Sequence, residues 1–273
     1  MAINYAEKYS GKVDERFTQA SLTEGAFNAD YDWEGVSTVN IYSIATAPMT
    51  DYTMTGDNRY GTPDELGDTT QSLTLSQDRS FTFTIDRRNY EDTMMVREAG
   101  SALRRQVDEV VIPELDAYRI SKLVAGAGNT SAATAISSTN AYSSFLDGVT
   151  TVLDNKAPLA GTFAFISTDF YKYIRLDGSF IKSSDIAQNM LVTGQVGTVE
   201  NIPLIFVPTS YLPSGVEFVI TNRIAAVAPQ KLAEYKTHDN PPGINGWLVE
   251  GRIYHDAFVL ENKKNAIYVH KSV

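Results

Sequence analysis

Several common features are missing from this sequence of 273 residues, and each absence narrows what the chain can be. It has no cysteine, so disulfide bonds and thiolate metal sites are excluded. It has no run of about 18 apolar residues, so we expect no transmembrane helix and no membrane association. The first residues are polar and of mixed charge, without the apolar centre of a signal peptide. The absence of cysteine fits a chain that folds in the cytoplasm.

Catalytic patterns are missing as well. The three histidines, His238, His255 and His270, have no partners at metal-binding spacing, and structural roles are expected for them. There is no nucleophile elbow and no Walker loop. Gly126 and Gly128 follow a predicted helix rather than a strand, which is the wrong context for a dinucleotide site. We therefore predict that the protein is not an enzyme and holds no cofactor and no metal.

The net charge of −10 is distributed unevenly along the chain. Residues 1–140 carry 21 acidic and 12 basic side chains, whereas residues 141–273 carry 12 and 11. Tight binding to nucleic acid requires clustered lysine and arginine, so this class of function is disfavoured. The acidity is explained adequately by solubility.

The longest helical pattern runs over residues 89–124, where apolar residues recur with a period close to 3.6. Asn89 is the predicted N-cap, and Pro113 predicts a kink or a break inside the helix. A straight helix of this length would span about 54 Å, more than a compact domain needs. We interpret it as the spine of an extended, self-assembling subunit.

A long β-hairpin is predicted before this helix, over residues 36–86. Its second limb alternates apolar and polar residues from Leu73 to Asp86, and a polar, turn-rich stretch separates the limbs. Residues 1–34 contain six aromatic side chains but no sustained period, so we expect an arm that docks on this subunit or a neighbour.

The remaining sequence predicts an α+β fold rather than a doubly wound sheet. Residues 125–140 are small and polar, and they predict a loop or linker at a domain boundary. The inserted part, residues 141–231, predicts helices over 141–155 and 169–176 and strands over 162–166, 202–208, 216–220 and 225–228. Residues 232–273 predict strands over 246–250, 252–260 and 266–270.

This order of elements resembles the HK97-type major capsid protein of tailed bacteriophages. The likeness covers essentially the whole chain, and short stretches strengthen it. They are Tyr31-Asp-Trp33-Glu-Gly35, Arg59-Tyr-Gly-Thr-Pro63, Leu75-Ser-Gln-Asp-Arg-Ser-Phe81, Ile85-Asp86, Ala102-Leu-Arg-Arg-Gln106 with Ile112-Pro113, and Gly251-Arg-Ile-Tyr-His-Asp-Ala-Phe-Val259.

The resemblance implies a shell protein that self-assembles as pentamers and hexamers into an icosahedral shell around phage double-stranded DNA. It implies an N-terminal arm (1–35), an extended loop (36–88), a peripheral domain with the spine helix (89–140 and 232–273) and an axial domain (141–231). An encapsulin-type compartment shell is the alternative, because its subunits share this architecture. A monomeric binding module and a hydrolase fit the sequence less well.

The resemblance also implies partners and contact residues. A portal and a separate scaffolding protein are expected, with assembly in the host cytoplasm and DNA enclosed without sequence-specific binding. Some members cross-link lysine to asparagine, but no lysine lies between residues 13 and 121, so no such cross-link is predicted. The candidate subunit-contact residues are Phe17, Tyr31, Trp33, Arg59, Tyr60, Arg87 and Arg88.

Overall fold

The structure is a computed structural model. It describes residues 21–28, 38–44, 46–63, 65–92, 99–178 and 198–272. Its helices are α1 (Arg87–Asp92), α2 (Ala99–Gln106), a π-helical turn (Val107–Val111), α3 (Ile112–Ala125), α4 (Ala141–Asp154) and α5 (Thr168–Leu176). Its strands are β1 (Thr38–Ile44), β2 (Asp68–Thr74), β3 (Gln77–Asp86), β4 (Asn129–Thr130), β5 (Thr162–Ile166), β6 (Thr198–Val199), β7 (Ile202–Phe206), β8 (Val216–Asn222), β9 (Ala226–Val227), β10 (Gln230–Asp239), β11 (Gly246–His255), β12 (Phe258–Val259) and β13 (Ile267–Lys271).

The predicted long helix is described on both sides of residues 93–98, over 87–92 and 99–125, and we keep the name long helix for these segments. They differ from the prediction in two places. Helix α1 begins at Arg87, so Asn89 lies inside the helix and its prediction as the N-cap is wrong. Before Pro113, the backbone N–H of Ile112 donates to the carbonyl of Val107, five residues back. This π-helical turn places Pro113 in the first turn of α3, where its missing N–H breaks no helical hydrogen bond. The predicted interruption therefore takes the form of a local change in hydrogen-bond spacing.

A hairpin is present, but its second limb is shorter than predicted. We call the paired strands β1 and β2 the base of the hairpin. Strands β1 and β2 are antiparallel partners, from Thr38 opposite Thr74 to Ile44 opposite Asp68. The alternation continues past residue 74, but β3 leaves the hairpin and pairs with β11 instead. The base packs on β9 and β12 through a small cluster centred on Leu73, Leu75, Val227 and Leu260.

Strand β3 belongs to a three-stranded antiparallel sheet in the order β10-β11-β3. The sequence predicted a break between 246–250 and 252–260, but β11 runs without interruption through Gly251. A Cβ at Gly251 would lie 2.3 Å from the ring of Phe81, so the glycine gives that ring room to cross the middle strand. Strand β10 was not predicted as a separate strand.

The main core surrounds a six-stranded sheet in the order β4-β13-β8-β5-β7-β6. Helices α4 and α5 cover it, with Phe170 and Phe218 in ring contact at 4.7 Å. Strand β13 lies between β4 and β8, so residues 267–271 share a sheet with strands of the inserted segment. An α+β fold is confirmed, as are the two predicted helices of the inserted segment and its strands β5, β7 and β8.

Candidate subunit-contact surfaces

Large apolar side chains face solvent in the segment between β1 and β2. Met49 is 100% exposed, Met54 is 83% exposed and Tyr60 is 86% exposed. Among the described residues, few large apolar side chains are this accessible. We call residues 46–63 the loop tip. Exposed apolar groups concentrated at the end of a hairpin are typical of a contact surface.

The loop tip has a defined shape although it contains no strand. The backbone N–H of Thr53 donates to the carbonyl of Arg59 at 3.0 Å, and the Thr50 hydroxyl donates to the carbonyl of Tyr60 at 2.9 Å. Gly61 has a φ of 89°, and a Cβ there would lie 2.6 Å from Thr50 Oγ1. These contacts hold Tyr60 outward, so the surface is largely formed before any partner binds.

Arg87 and Arg88 lie at the start of α1, where the long helix follows β3. The guanidinium of Arg87 lies 3.5 Å from the Asp239 carboxylate and 5.7 Å from the ring centre of Trp247. This arginine is therefore paired with a carboxylate of its own chain. The backbone N–H of Arg88 donates to Asp86 at 2.9 Å, and its side chain is exposed.

The structure leaves the roles of the seven candidate contact residues untested. Arg59 and Tyr60 lie in the loop tip, whereas Arg87 and Arg88 lie in α1. Phe17, Tyr31 and Trp33 are outside the described residues.

Asp256 fixes the point where the chain passes from β2 to β3. Its Oδ2 accepts hydrogen bonds from the backbone N–H and the hydroxyl of Ser76, at 2.9 and 2.8 Å. Its Oδ1 accepts from the hydroxyl of Tyr118 in α3 at 2.7 Å and from the N–H of Ala257 at 2.8 Å. Burial opposes ionisation, but these donors outweigh it and hold the pKa of Asp256 below its ordinary value. One carboxylate thus joins the hairpin, the long helix and the end of β11.

His255 lies beside this carboxylate and is buried. Its ring meets that of Tyr118 edge to face at 5.4 Å, and its Nδ1 has no hydrogen-bond partner in the described part of the chain. Burial, followed by the positive charge of Arg119, lowers the pKa of His255. The residue also lines a cavity of about 240 Å³ between the long helix and the three-stranded sheet. The neutral imidazole is therefore part of the packing.

A second buried carboxylate, Asp116 in α3, holds the end of the arm. It accepts hydrogen bonds from the hydroxyls of Ser21 (2.8 Å) and Thr23 (2.6 Å) and from the N–H of Leu22 (2.8 Å). The N–H of Asn28 then donates to Ala226 at the edge of β9. Docking of the arm on its own subunit is thus confirmed for residues 21–28.

Sequence reasoning missed both carboxylates. Asp116 had one available signal, since it lies four and seven residues before Ile120 and Leu123, on the same buried face of the helix. Asp256 had none, because its partners are distant in sequence. Two pairs with helical spacing lie nearby, Arg104 with Asp108 at 3.7 Å and Arg105 with Glu109 at 2.8 Å.

The other two histidines have structural surroundings. His270 stacks on Phe218 at 4.9 Å, and its Nε2 lies 3.0 Å from the carbonyl of Thr134. His238 is exposed and lies 3.4 Å from Glu250. Within the described residues, no group of three or more histidine, aspartate or glutamate side chains could hold a metal ion. None of the helices in that part of the chain is long and apolar enough to cross a membrane.

Comparison with solved structures identifies the fold. The chain is similar to one from the capsid structure of cyanophage P-SCSP1u, with a TM-score of 0.78 and 10% identity, covering 98% of this chain and 92% of that chain. It is similar to a chain in the mature capsid of bacteriophage PhiM1, with a TM-score of 0.71 and 12% identity over 97% and 91%. A chain from Mycobacterium phage Che8 has a TM-score of 0.71 and 15% identity over 98% and 97%. The fold is therefore the HK97-like capsid fold.

Sequence comparison identifies the family. No curated protein matches the chain. A family model described as "Phage capsid protein" matches residues 68–269, which include the three-stranded sheet, the long helix and the described strands of the main core. An encapsulin-type compartment is not favoured by this match. Because the matched residues make up most of the sequence, the chain belongs to the phage capsid protein family and is a structural component of a virion shell.

Proposed function

We propose that copies of this major capsid protein assemble as pentamers and hexamers into an icosahedral shell that encloses phage double-stranded DNA. The observation that carries the proposal is the loop tip, which presents exposed apolar side chains on a preformed loop. Burying a methionine or tyrosine side chain stabilises a contact by about 1.5 to 3 kcal/mol. A monomer gains nothing from leaving several of them in water.

The loop tip lies over a neighbouring subunit in this proposal. Met49, Met54 and Tyr60 supply the apolar contacts, and Arg59 supplies a charge at their edge. Arg87 and Arg88 contribute at the start of the long helix, where Arg88 is exposed. Phe17, Tyr31 and Trp33 of the arm extend the contact.

The strand pairing supports a modified division of the subunit. The extended loop comprises the β1–β2 hairpin and the loop tip. The peripheral domain comprises the long helix and the sheet formed by β3, β10 and β11. The axial domain comprises residues 141–229 together with β4 and β13, because both strands belong to its sheet. The arm comprises residues 1–35.

The charge of the chain supports loose packaging of the genome. Duplex DNA binds proteins mainly through lysine and arginine, and this chain carries 33 acidic against 23 basic side chains. A shell that does not hold its DNA tightly permits packing and ejection. The partners in this proposal are a separate scaffolding protein and a portal, with assembly in the cytoplasm of the host bacterium and with no catalytic activity.

The test combines electron microscopy with one set of substitutions. The purified chain is imaged alone and together with the proteins encoded beside it, and closed shells are expected. The triple variant Met49→Ser, Met54→Ser, Tyr60→Ser should lower the shell yield about tenfold or more, because each position loses about 1 kcal/mol or more of apolar contact. The control Leu159→Ser, an exposed leucine after α4, should assemble normally. A strict monomer under all assembly conditions would refute the shell, and full yield from the triple variant would refute the role of the loop tip.

A further inference from the structure

Strand β10 is an open edge of the three-stranded sheet. Among the described residues, it pairs with β11 alone. The register is regular from Leu232 to Asp239, with one irregularity next to Gln230. The strand contains no proline, and its side chains from Ala233 to Asp239 are exposed. Such an edge can accept another strand through its free N–H and C=O groups.

The hydrogen-bond pattern determines which residues present those groups. The N–H of Asn240 donates to the carbonyl of Gly246 at 2.7 Å, so the even-numbered residues of β10 bond to β11. The N–H and C=O groups of Ala233, Tyr235 and Thr237 therefore point away from β11. A strand added to this edge must pair with these three residues.

The charges on β10 are complementary to the same strand running in the opposite direction. If Tyr235 lies opposite Tyr235 of a second copy, Ala233 lies opposite Thr237, and Glu234 lies opposite Lys236 twice. Moving the centre to Glu234 or to Lys236 would place two like charges opposite each other, which is destabilising. A centre at Tyr235 also brings the outward-pointing groups of both strands into register, giving about six backbone hydrogen bonds.

The neighbouring strand already continues this alternation of charge. Within one chain, Glu234 lies opposite Arg252 and Lys236 lies opposite Glu250. A second copy would place a lysine on the other side of Glu234 and a glutamate on the other side of Lys236. Lys236 Nζ and Glu234 Oε2 of one chain are 2.9 Å apart. Both side chains are exposed, so this pair is weak and can change partners at little cost.

We propose that β10 of one subunit pairs antiparallel with β10 of a second copy, about a two-fold axis centred on Tyr235. The result is a six-stranded sheet shared by two subunits, and the contact is isologous. This pairing rests on the proposed function only for its location in the shell, because an icosahedral shell contains two-fold axes. The surface is separate from the loop tip.

Cysteine cross-linking tests the register directly, because the natural chain has no cysteine. Paired residues of this kind have Cα atoms about 5.5 Å apart, which a disulfide can bridge. Tyr235→Cys in assembled shells should give a symmetric disulfide dimer under mild oxidation. Thr237→Cys is the matched control. Residue 237 lies on the same face as residue 235, but the Cα atoms of residue 237 in the two subunits would be about 14 Å apart. This variant should cross-link only when mixed with Ala233→Cys, and this mixture also tests the register if Tyr235→Cys fails to fold.

Charge exchange tests the energetics. Glu234→Lys should lower the dimeric cross-link between Ala233→Cys and Thr237→Cys chains about tenfold, because two attractive pairs become repulsive. The double variant Glu234→Lys, Lys236→Glu should restore it. Mixing Glu234→Lys chains with Lys236→Glu chains should also restore the cross-link, because opposite charges then face each other across the two chains. Within each of these chains, positions 234 and 236 carry the same charge. That rescue requires contact between copies.

Several results would overturn the pairing. These are self-cross-linking at Thr237, no cross-link at any of the three cysteine positions in intact shells, or a cross-link that charge exchange does not change. Intact shells without the cross-link refute the pairing and leave the shell standing. A failure of the unsubstituted chain to form shells refutes both.

Discussion

At the scale of single residues, buried carboxylates determine how distant segments meet. Asp116 and Asp256 each accept hydrogen bonds from a backbone N–H and from hydroxyl groups of other elements. A buried charge is tolerated only where such donors surround it, so each site fixes several partners at once. The sequence indicated Asp116 weakly, through its helical spacing, and Asp256 not at all.

Removing the Asp116 carboxylate should detach the end of the arm. Asp116→Ala leaves the N–H of Leu22 without its acceptor and removes the carboxylate that lies 4.0 Å from the buried guanidinium of Arg119. We expect the free energy of unfolding to fall by about 2 to 4 kcal/mol. Urea denaturation of the unassembled subunit measures this. Asp108→Ala removes an exposed pair with Arg104 and should cost less than about 0.5 kcal/mol. Equal losses in the two variants would contradict this role for Asp116.

His255 and Asp256 should make the stability of the subunit sensitive to acid in two separate ranges. Burial lowers the pKa of His255 below its ordinary 6.5, so below about pH 6.5 the unfolded chain binds a proton that the folded chain does not. The free energy of unfolding should therefore fall as the pH drops below 6.5. The pKa of Asp256 lies below its ordinary 3.8, so its contribution is present above that pH and is lost as the pH falls further.

The two ranges can be separated by substitution. His255→Phe should flatten the fall that begins near pH 6.5 and leave the fall below pH 4 in place. His238→Phe replaces an exposed histidine and is the control for the loss of one imidazole. Denaturant titrations from pH 8 to pH 3 supply the measurement, and a pH dependence that survives His255→Phe would exclude this histidine as the cause.

At the scale of elements, the periodicity of the sequence predicted the helices and strands that are determined by packing against the core. Helices α4 and α5 and strands β5, β7 and β8 were predicted because each buries one face or both faces in the same core. The change of partner between β2 and β3 was missed because alternation continues across it. That change depends on Asp256, 180 residues after Ser76. The π-helical turn was missed because no residue type specifies it.

The π-helical turn makes Pro113 the natural position to alter the long helix. Pro113→Ala restores an N–H that can bond to the carbonyl of Glu109, so the turn can revert to α-helical spacing. We expect a folded subunit whose shells have a shifted distribution of diameters in electron micrographs. Val110→Ala, an exposed position in the same turn, adds no backbone donor and should leave the diameters unchanged. Identical diameters for Pro113→Ala and the natural chain would reject this role.

At the scale of the whole molecule, the order of elements was the strongest predictor. The order of arm, hairpin, long helix and inserted segment indicated the fold, although the pairing of β3 and β13 did not follow it. Neither strand could be assigned from its own residues, because the alternation of β3 and the apolar residues of β13 both fit any sheet that offers an edge and a core. The sheet that each strand joins is determined by tertiary contacts between residues far apart in the sequence.

Mature shells should contain no covalent links between lysine and asparagine. The absence of lysine between residues 13 and 121 means that the hairpin and loop tip cannot supply one. Particles boiled in detergent and run on a reducing gel should give one band at the 30.0 kDa subunit mass. Bands at multiples of that mass would contradict the prediction. A cysteine-bearing variant cross-linked and then reduced provides a control for complete dissociation.

The position of β13 has a consequence for the timing of folding. This strand lies between β4 and β8 and is buried over residues 267–270, yet it is synthesised after every other strand of its sheet. At about 5 to 20 residues per second, the ribosome needs roughly 2 to 9 s to pass from the end of β8 to β13. Until then the sheet lacks an internal strand, and the edge of β8 that pairs with β13 stays open. Completion of the sheet therefore waits for β13, so a chain that still lacks this strand cannot present a finished surface to the growing shell.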